Sequence, residues 1–339
     1  MGRSLSDLAV FLGKRLLLLI PTLLGVLVIT FVLSTVVTPN PCQFWFPKIK
    51  PAQVPACISR FGLDQPLPTR FVDYLVQLGS GNWGTNPNAV PVLPQILADV
   101  PETIELVLSA MFLMIVVGIP LGVVAANHAG RLGDHLVRVF YLSGWAMPTY
   151  VGALLLALLV GPATGLPYQG AFTNPNPPIP QPTHFSVVDG ILSGQPYYAG
   201  DALAHLVLPA TSLAFLNLGI ATRMTRSSML ETLPMDYVKT ARMKGLSEFW
   251  VLYKHALRNS LITTTTVLGV TGGQLLASTV VIEEIFQWPG IGEYAYTALT
   301  QNWYAAVYAT VIVFAIGVVV ANLAADLLYG LLDPRVEWR

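Results

Sequence analysis

The chain has 339 residues, of which 54% are hydrophobic and 11% charged, with 18 basic residues balanced by 18 acidic ones. Soluble domains carry about 25% charged residues, so this composition cannot cover a water-facing surface, and lipid has to be its main solvent. A formal net charge of zero offers no basic patch or tail of the kind a nucleic-acid partner requires.

A helix crossing the hydrocarbon core needs about 20 apolar residues, and backbone in lipid must satisfy its own hydrogen bonds. The first qualifying stretch, 16–37, follows Lys14-Arg15. Its apolar run is longer than a signal-peptide core of about 7–15 residues and no Ala-x-Ala site follows, so it is expected to remain as an anchor. Residues 38–103 are polar and proline-rich, with an amphipathic piece at 60–78. Both cysteines, Cys42 and Cys57, lie here, and neither has a Cys or His at zinc-like spacing. If this stretch faces an oxidising exterior they close a short loop as a disulfide; otherwise both stay as thiols. Stretches 104–127 and 136–160 come next. Gly118-Ile119-Pro120-Leu121-Gly122 and the 145–149 segment put Gly and Pro inside them, read as kinks that packing tolerates. Segment 161–201 contains Asn174-Pro175-Asn176-Pro177-Pro178, which excludes a helix or a central strand there. Stretches 202–222, 261–285 and 307–329 complete six expected transmembrane helices of an all-α integral membrane protein.

Basic residues choose the side. Fourteen of the 18 Lys and Arg precede the first stretch, flank the turn between the second and third, fill the link between the fourth and fifth, or end the chain. Segments 161–201 and 286–306 contain none. Six spans with both termini cytoplasmic, in the cell membrane, fit this bias. Within the spans, Asn217, Gln274, Glu283 and Glu284 are candidates for a pathway or gate, set against helix–helix bonding for the amides and a solvated helix end for the two acids. His128 and His205 lie at span ends, and Trp83, Trp145, Trp288 and Trp303 suit interfacial belts. No Gly-x-x-x-x-Gly-Lys-[Ser/Thr] loop occurs, so no phosphate cradle is expected. Neither a nucleophile–base pair nor a metal set stands out, so no catalytic, cofactor or metal residue is assigned.

The link between the fourth and fifth stretches is far longer than a membrane hairpin needs. It includes Asp236-Tyr237-Val238-Lys239-Thr240-Ala241-Arg242-Met243-Lys244-Gly245-Leu246 and, further on, His255-Ala256-Leu257-Arg258-Asn259. Asp236 can cap a helix start and Gly245 can end it in the left-handed conformation, giving a short helix between two elbows. The small Ala241 permits close approach by another protein, and the flanking Arg and Lys supply polar grip. Physical reasoning leaves two readings open, a docking lever for a partner protein and a basic helix lying on anionic lipid.

These residues resemble the coupling loop of binding-protein-dependent ABC permeases, in the branch that imports dipeptides, oligopeptides and nickel. Thr240-Ala241-Arg242 stands where the wider family has Glu-Ala-Ala, as is usual for this branch, and Met243 replaces a smaller residue. The resemblance extends over nearly the whole chain. It includes Phe61-Gly62-Leu63-Asp64-Gln65-Pro66-Leu67, Pro101-Glu102-Thr103-Ile104-Glu105-Leu106, Glu283-x-Ile285-Phe286-x-x-Pro289-Gly290-Ile291-Gly292 and Asp326-Leu327-Leu328-Tyr329-Gly330. Gln301-Asn302-Trp303-Tyr304 departs from the family's Arg-Asp-Tyr-Pro and removes a charge pair near the outer gate.

The resemblance implies a type I ABC importer permease fold. An N-terminal region with the first helix (1–38) and an extracytoplasmic segment (39–99) precede a five-helix core (100–330) and a cytoplasmic tail (331–339). It implies that Asp236, Tyr237, Thr240, Ala241, Arg242, Lys244, Gly245 and Leu246 meet an ATPase subunit. The implied partners are a second, similar permease, two ABC ATPase subunits that hold the ATP and Mg, an extracytoplasmic solute-binding protein and membrane lipid. The chain itself is then no enzyme. The expected cargo is di- or oligopeptides, with oligosaccharide or nickel as alternatives. A stand-alone secondary transporter or channel is the reading from a different class, and it would display acids or His in mid-membrane.

Overall fold

The computed structural model describes residues 20–33, 49–60, 62–86, 89–173 and 181–332, together with Gly13, Leu17 and Cys42. Lys14-Arg15, most of the 34–48 stretch, Phe61, the 174–178 proline run and the tail from Asp333 lie outside the described residues. Among the described residues the architecture is all-α, and the one extended pairing is an isolated antiparallel bridge between Thr85 and Pro91.

Twelve helices organise these residues. They are α1 (Ile20–Leu33), α2 (Val54–Arg60), α3 (Leu67–Gly79), α4 (Val92–Asn127), α5 (Leu132–Trp145), α6 (Thr149–Thr164), α7 (Ser186–Leu192), α8 (Pro196–Thr232), α9 (Asp236–Met243), α10 (Glu248–Phe286), α11 (Ile291–Thr300) and α12 (Tyr304–Leu332). Four of them, α4, α8, α10 and the Tyr304–Leu327 part of α12, are long and apolar enough to cross a membrane. The bent pair α5 and α6 makes a fifth if counted as one span, and α1 is shorter, with 14 described residues.

The two Gly/Pro segments behave differently. Pro101 and Pro120 sit inside α4 without ending it, and a single wide π turn at Met114–Gly118 keeps the helix continuous. The 145–149 segment was expected as a kink in one span. It is instead a break of 106° between α5 and α6. Pro148, with φ −56° and ψ 137°, supplies the extended residue that precedes α6 and has no N–H to continue α5. The amphipathic piece expected at 60–78 is likewise divided: Gly62 turns with φ +62° and α2 and α3 are separate. Phe31 of α1 packs on Phe71 and Tyr74 of α3, with ring centroids 5.2 and 5.8 Å apart. Cys42 and Cys57 are joined as a disulfide, their Cα atoms 6.1 Å apart.

Helix α8 is the hub. Of its most apolar stretch 61% is buried, against 28% for α12, so α8 runs through the middle while α12 faces outward. Close approach is what glycine permits here. A Cβ on Gly122 of α4 would lie 2.6 Å from Thr225 Cβ, and one on Gly144 of α5 would lie 2.5 Å from the Phe215 carbonyl oxygen. The largest apolar core joins Leu106, Met114, Leu208, Leu213, Leu275, Ile282, Phe286 and Trp288, drawn from α4, α8, α10 and the turn that follows. A second core, at the end of the molecule that carries Arg131, Arg138, Arg226 and α9, joins Val123, Ala126, Met229, Val238, Ala241, Val251, Leu252, Ala256 and Leu257.

Candidate functional site

The basic end is built around α9. After α8 ends at Thr232, the Leu233 N–H still bonds the Met229 carbonyl at 2.8 Å, and Met235 turns the chain with extended dihedrals. Asp236, expected as the cap, is the first helical residue. Its carboxylate makes no capping bond to the backbone and takes Lys239 Nζ at 2.9 Å instead. The helix has two faces. Val238 and Ala241, three residues apart, point inward against the second core. Ala241 is only 4% exposed, so it meets its own chain; the expectation that it lies open to a partner is corrected by this packing. The outward face carries Tyr237, Lys239, Thr240, Arg242 and Met243, followed by Lys244 and Leu246. Met243 is 79% exposed.

Gly245 closes the helix with φ +76°, and no atom lies within 4 Å of the place a Cβ would occupy. Only the backbone conformation therefore demands glycine there. Beyond it, Phe249 (61% exposed) and Trp250 (54% exposed) extend the apolar surface. Phe249 rests on Tyr253 with centroids 4.7 Å apart, and Lys254 lies 5.6 Å over the Trp250 ring. The elbow is pinned by specific bonds. Asn259 Nδ2 donates to Tyr237 Oη at 2.7 Å, Ser260 Oγ donates to Thr232 Oγ1 at 3.0 Å, and Arg242 forks onto Glu248 at 2.7 and 3.2 Å. The Glu248 bond raises the pKa of the Arg242 guanidinium above its ordinary value. The result is a short helix seated on one side and open on the other, with exposed apolar groups rimmed by cations.

The opposite end uses charge in another way. Glu283 was expected either at a gate or at a solvated helix end, and it is fully buried. Its carboxylate accepts Thr103 Oγ1 at 2.9 Å, Gly292 N–H at 2.6 Å and Glu293 N–H at 3.2 Å, while Thr103 Oγ1 accepts the Ile291 N–H at 2.9 Å. One carboxylate thus fixes the start of α11, where the helix dipole favours it. Trp288, expected in an interfacial belt, is buried and donates its indole N–H to the Glu102 carbonyl at 3.0 Å. Glu105 accepts the Val187 N–H at 3.2 Å, and Ser186 Oγ donates to Glu102 Oε1, so two acids of α4 hold α7. His205, expected near the interface, is buried and bonds the Asp201 carbonyl at 2.8 Å through Nδ1.

The remaining candidates do not converge. Glu284 is half-buried, Gln274 is exposed, and half-buried Asn217 donates to the Leu213 carbonyl of its own helix at 2.9 Å. Of the 263–266 threonines, Thr264 alone meets another helix, 3.3 Å from Thr225 Oγ1. Among the described residues no group of three or more His, Cys, Asp or Glu is placed to hold a metal. Two features were not singled out from sequence. Glu102 and Glu105 stand in the Pro101–Leu106 run, but only their spacing of three on one helix hinted that both hold α7. The pair Asp134 and Arg226, 92 positions apart in the chain, gave no signal.

The comparisons with known proteins agree with this architecture. Residues 118–338 match the family described as binding-protein-dependent transport system inner membrane component. The chain is 38% identical over 330 residues to the di/tripeptide transport system permease protein DppB of Pseudomonas aeruginosa, covering 96% of this chain and 98% of that one. It is 34% identical over 336 residues to the dipeptide transport system permease protein DppB of Escherichia coli K12, with 96% and 98% covered. It is 33% identical over 334 residues to the oligopeptide transport system permease protein AppB of Bacillus subtilis, with 98% and 100% covered. A chain with several apolar helices, matched over most of its length in this way, belongs to the binding-protein-dependent transport system inner membrane components, as a multi-pass permease rather than an ATPase.

Proposed function

We propose that this chain is the permease subunit through which an ATP-driven importer moves di- or oligopeptides, and that α9 is the helix an ATPase subunit pushes. The carrying observation is the divided character of α9. One face is locked to its own chain by Val238, Ala241 and the Asn259–Tyr237 bond, and the other presents Met243, Leu246, Phe249 and Trp250 among Lys239, Arg242 and Lys244. A soluble surface does not ordinarily gather exposed aromatic and aliphatic groups in one place without a partner. The basic end then faces the cytoplasm with both chain termini. The full assembly holds a second permease, two ATPase subunits carrying ATP and Mg, and an external solute-binding protein. The relatives' names supply the peptide class.

The test uses the complete transporter in proteoliposomes. Met243→Glu and Phe249→Glu lie on the exposed face and leave the internal packing of α9 intact. Both variants are expected to insert normally and to lose peptide uptake together with substrate-stimulated ATP hydrolysis. Full uptake by both overturns the docking role and favours the lipid-bound helix. Ala241→Arg does not separate the two readings, because its side chain would enter the second core. Thiol labelling of Gln195→Cys from outside and Ser247→Cys from inside checks the orientation; the reverse pattern sinks it. Thermal-shift screening of the cognate binding protein settles the cargo, and tight binding of an oligosaccharide with no response to peptides rejects the peptide class.

A further inference from the structure

The first turn of α5 carries a carboxylate that no motif announces. Asp134 is buried, its side chain 1% exposed. Arg226 of α8 grips it with a fork, Nε to Oδ1 at 2.8 Å and Nη2 to Oδ2 at 2.8 Å, and the Gly130 N–H adds a third bond at 3.0 Å. Arg138 approaches Oδ1 at 3.4 Å. A forked Arg–carboxylate bond fixes orientation as well as distance, and a buried one leaves an uncompensated charge when a partner is lost. The contacts continue up the two antiparallel helices. A Cβ on Gly219 would lie 3.0 Å from the Tyr141 ring, Gly144 abuts the Phe215 carbonyl, and the Arg223 guanidinium sits 5.0 Å over Trp145. Trp145 is the last residue of α5, and the 106° break follows it. Helix α5 is therefore strapped to α8 from its first turn to its last by polar and close backbone contacts, and beyond the break α6 meets α8 through apolar packing alone, Gly152 against Leu216 and Gly161 near Leu208. Helix α8 in turn runs into the elbow of α9.

We propose that Asp134 and Arg226 are a positioning pair that makes α5 travel with α8 as one rigid arm, so that a push on α9 is carried to the joint at 146–148. The proposal rests on the reading of α9 as the ATPase-contacting helix. Neither residue touches cargo or nucleotide; the pair acts through the placement of α5.

The experiment measures peptide uptake per ATP hydrolysed by the reconstituted full transporter. Arg226→Gln is expected to assemble with its partners and to lose about tenfold in that ratio, the scale of a typical coupling energy, while ATP hydrolysis continues. Arg226→Lys, which keeps the charge and loses the fork, is expected to recover part of the ratio. Arg138→Gln, outside the fork, is expected to match the parent. The two native cysteines are bridged to each other, so Asp134→Cys/Arg226→Cys introduces the only thiols of this chain. A short bifunctional thiol reagent across them is expected to restore the ratio, while the Arg226→Lys recovery and the continued ATP hydrolysis of Arg226→Gln separate this from a loss of mere stability. An unchanged ratio in Arg226→Gln overturns the proposal, and so does a cross-link that blocks uptake. If Arg226→Gln does not assemble, the cross-linked pair decides alone. Loss of uptake in Met243→Glu beside an unaffected Arg226→Gln rejects the pair and keeps the α9 reading; uptake retained in Met243→Glu removes the α9 reading itself.

Discussion

The two ends of the molecule hold charged groups for opposite purposes. At the basic end, apart from the buried Asp134 held by Arg226, the charges stay at the surface around α9, where Lys239, Lys244 and Arg242 ring an apolar patch and the helix can be approached from outside. At the acidic end the charges go inside, where Glu283, Glu102 and Glu105 accept bonds from Thr103, Ser186 and the first N–H groups of α11 and α7. The difference teaches that a charge in a membrane protein is informative only with its donors counted. A carboxylate given several internal donors behaves as a structural brace, while cations left in solvent beside exposed aromatics mark an interface.

Thermal unfolding of the purified chain in detergent tests this contrast, beginning with its strongest case. Gly290→Val should prevent folding, because even a Cβ there would fall 2.5 Å from both Thr103 Oγ1 and the Glu283 carboxyl carbon; a well-folded variant would falsify the packing of this turn. Glu283→Gln should cost about 2–4 kcal/mol, since the amide sets two donors among the N–H groups of Gly292 and Glu293. An unchanged midpoint would mean that α11 does not depend on the carboxylate. Trp288→Phe keeps most of the buried ring and strips the indole donor from the Glu102 carbonyl. A loss of about 1–2 kcal/mol is expected, and no loss would show that water replaces the bond. Met243→Glu should shift stability by less than about 0.5 kcal/mol although it is expected to abolish uptake. A large drop in its melting temperature would show that Met243 belongs to the internal packing and would blur the contrast between the ends.

Much of the fold was legible because lipid imposes simple requirements. Long apolar stretches had to become helices, and the excess length of the link after α8, with Gly245 ending a polar run, was enough to place α9. The inward turn of Ala241 was not legible. A helix of eight residues has room for only one buried pair, and whether Val238 with Ala241 or another pair three or four residues apart faced the protein depended on Val123, Met229 and Val251, which the spacing of α9 does not encode. Pro148 was visible, but a proline bends or breaks a helix according to what covers the freed backbone, and here the cover comes from α8. The roles of Glu283 and Trp288 depended on partners on α4, some 180 positions away. The Gly and Pro residues of the 287–292 turn signalled a bend there but not what the bend encloses.

The bent pair also bears on how the chain enters the membrane during synthesis. Helix α5 has 14 residues and α6 has 16, so at 1.5 Å per residue each reaches about 21–24 Å, short of the roughly 30 Å hydrocarbon core. Neither half can be threaded across as an independent segment, and the turn between them exposes backbone that lipid does not hydrate. The surface that covers this turn, around Phe215 and Gly219 of α8, leaves the ribosome only after about 70 further residues. Until α8 emerges the nascent chain lacks that cover, so α5 and α6 are expected to settle in the membrane only once α8 has joined them.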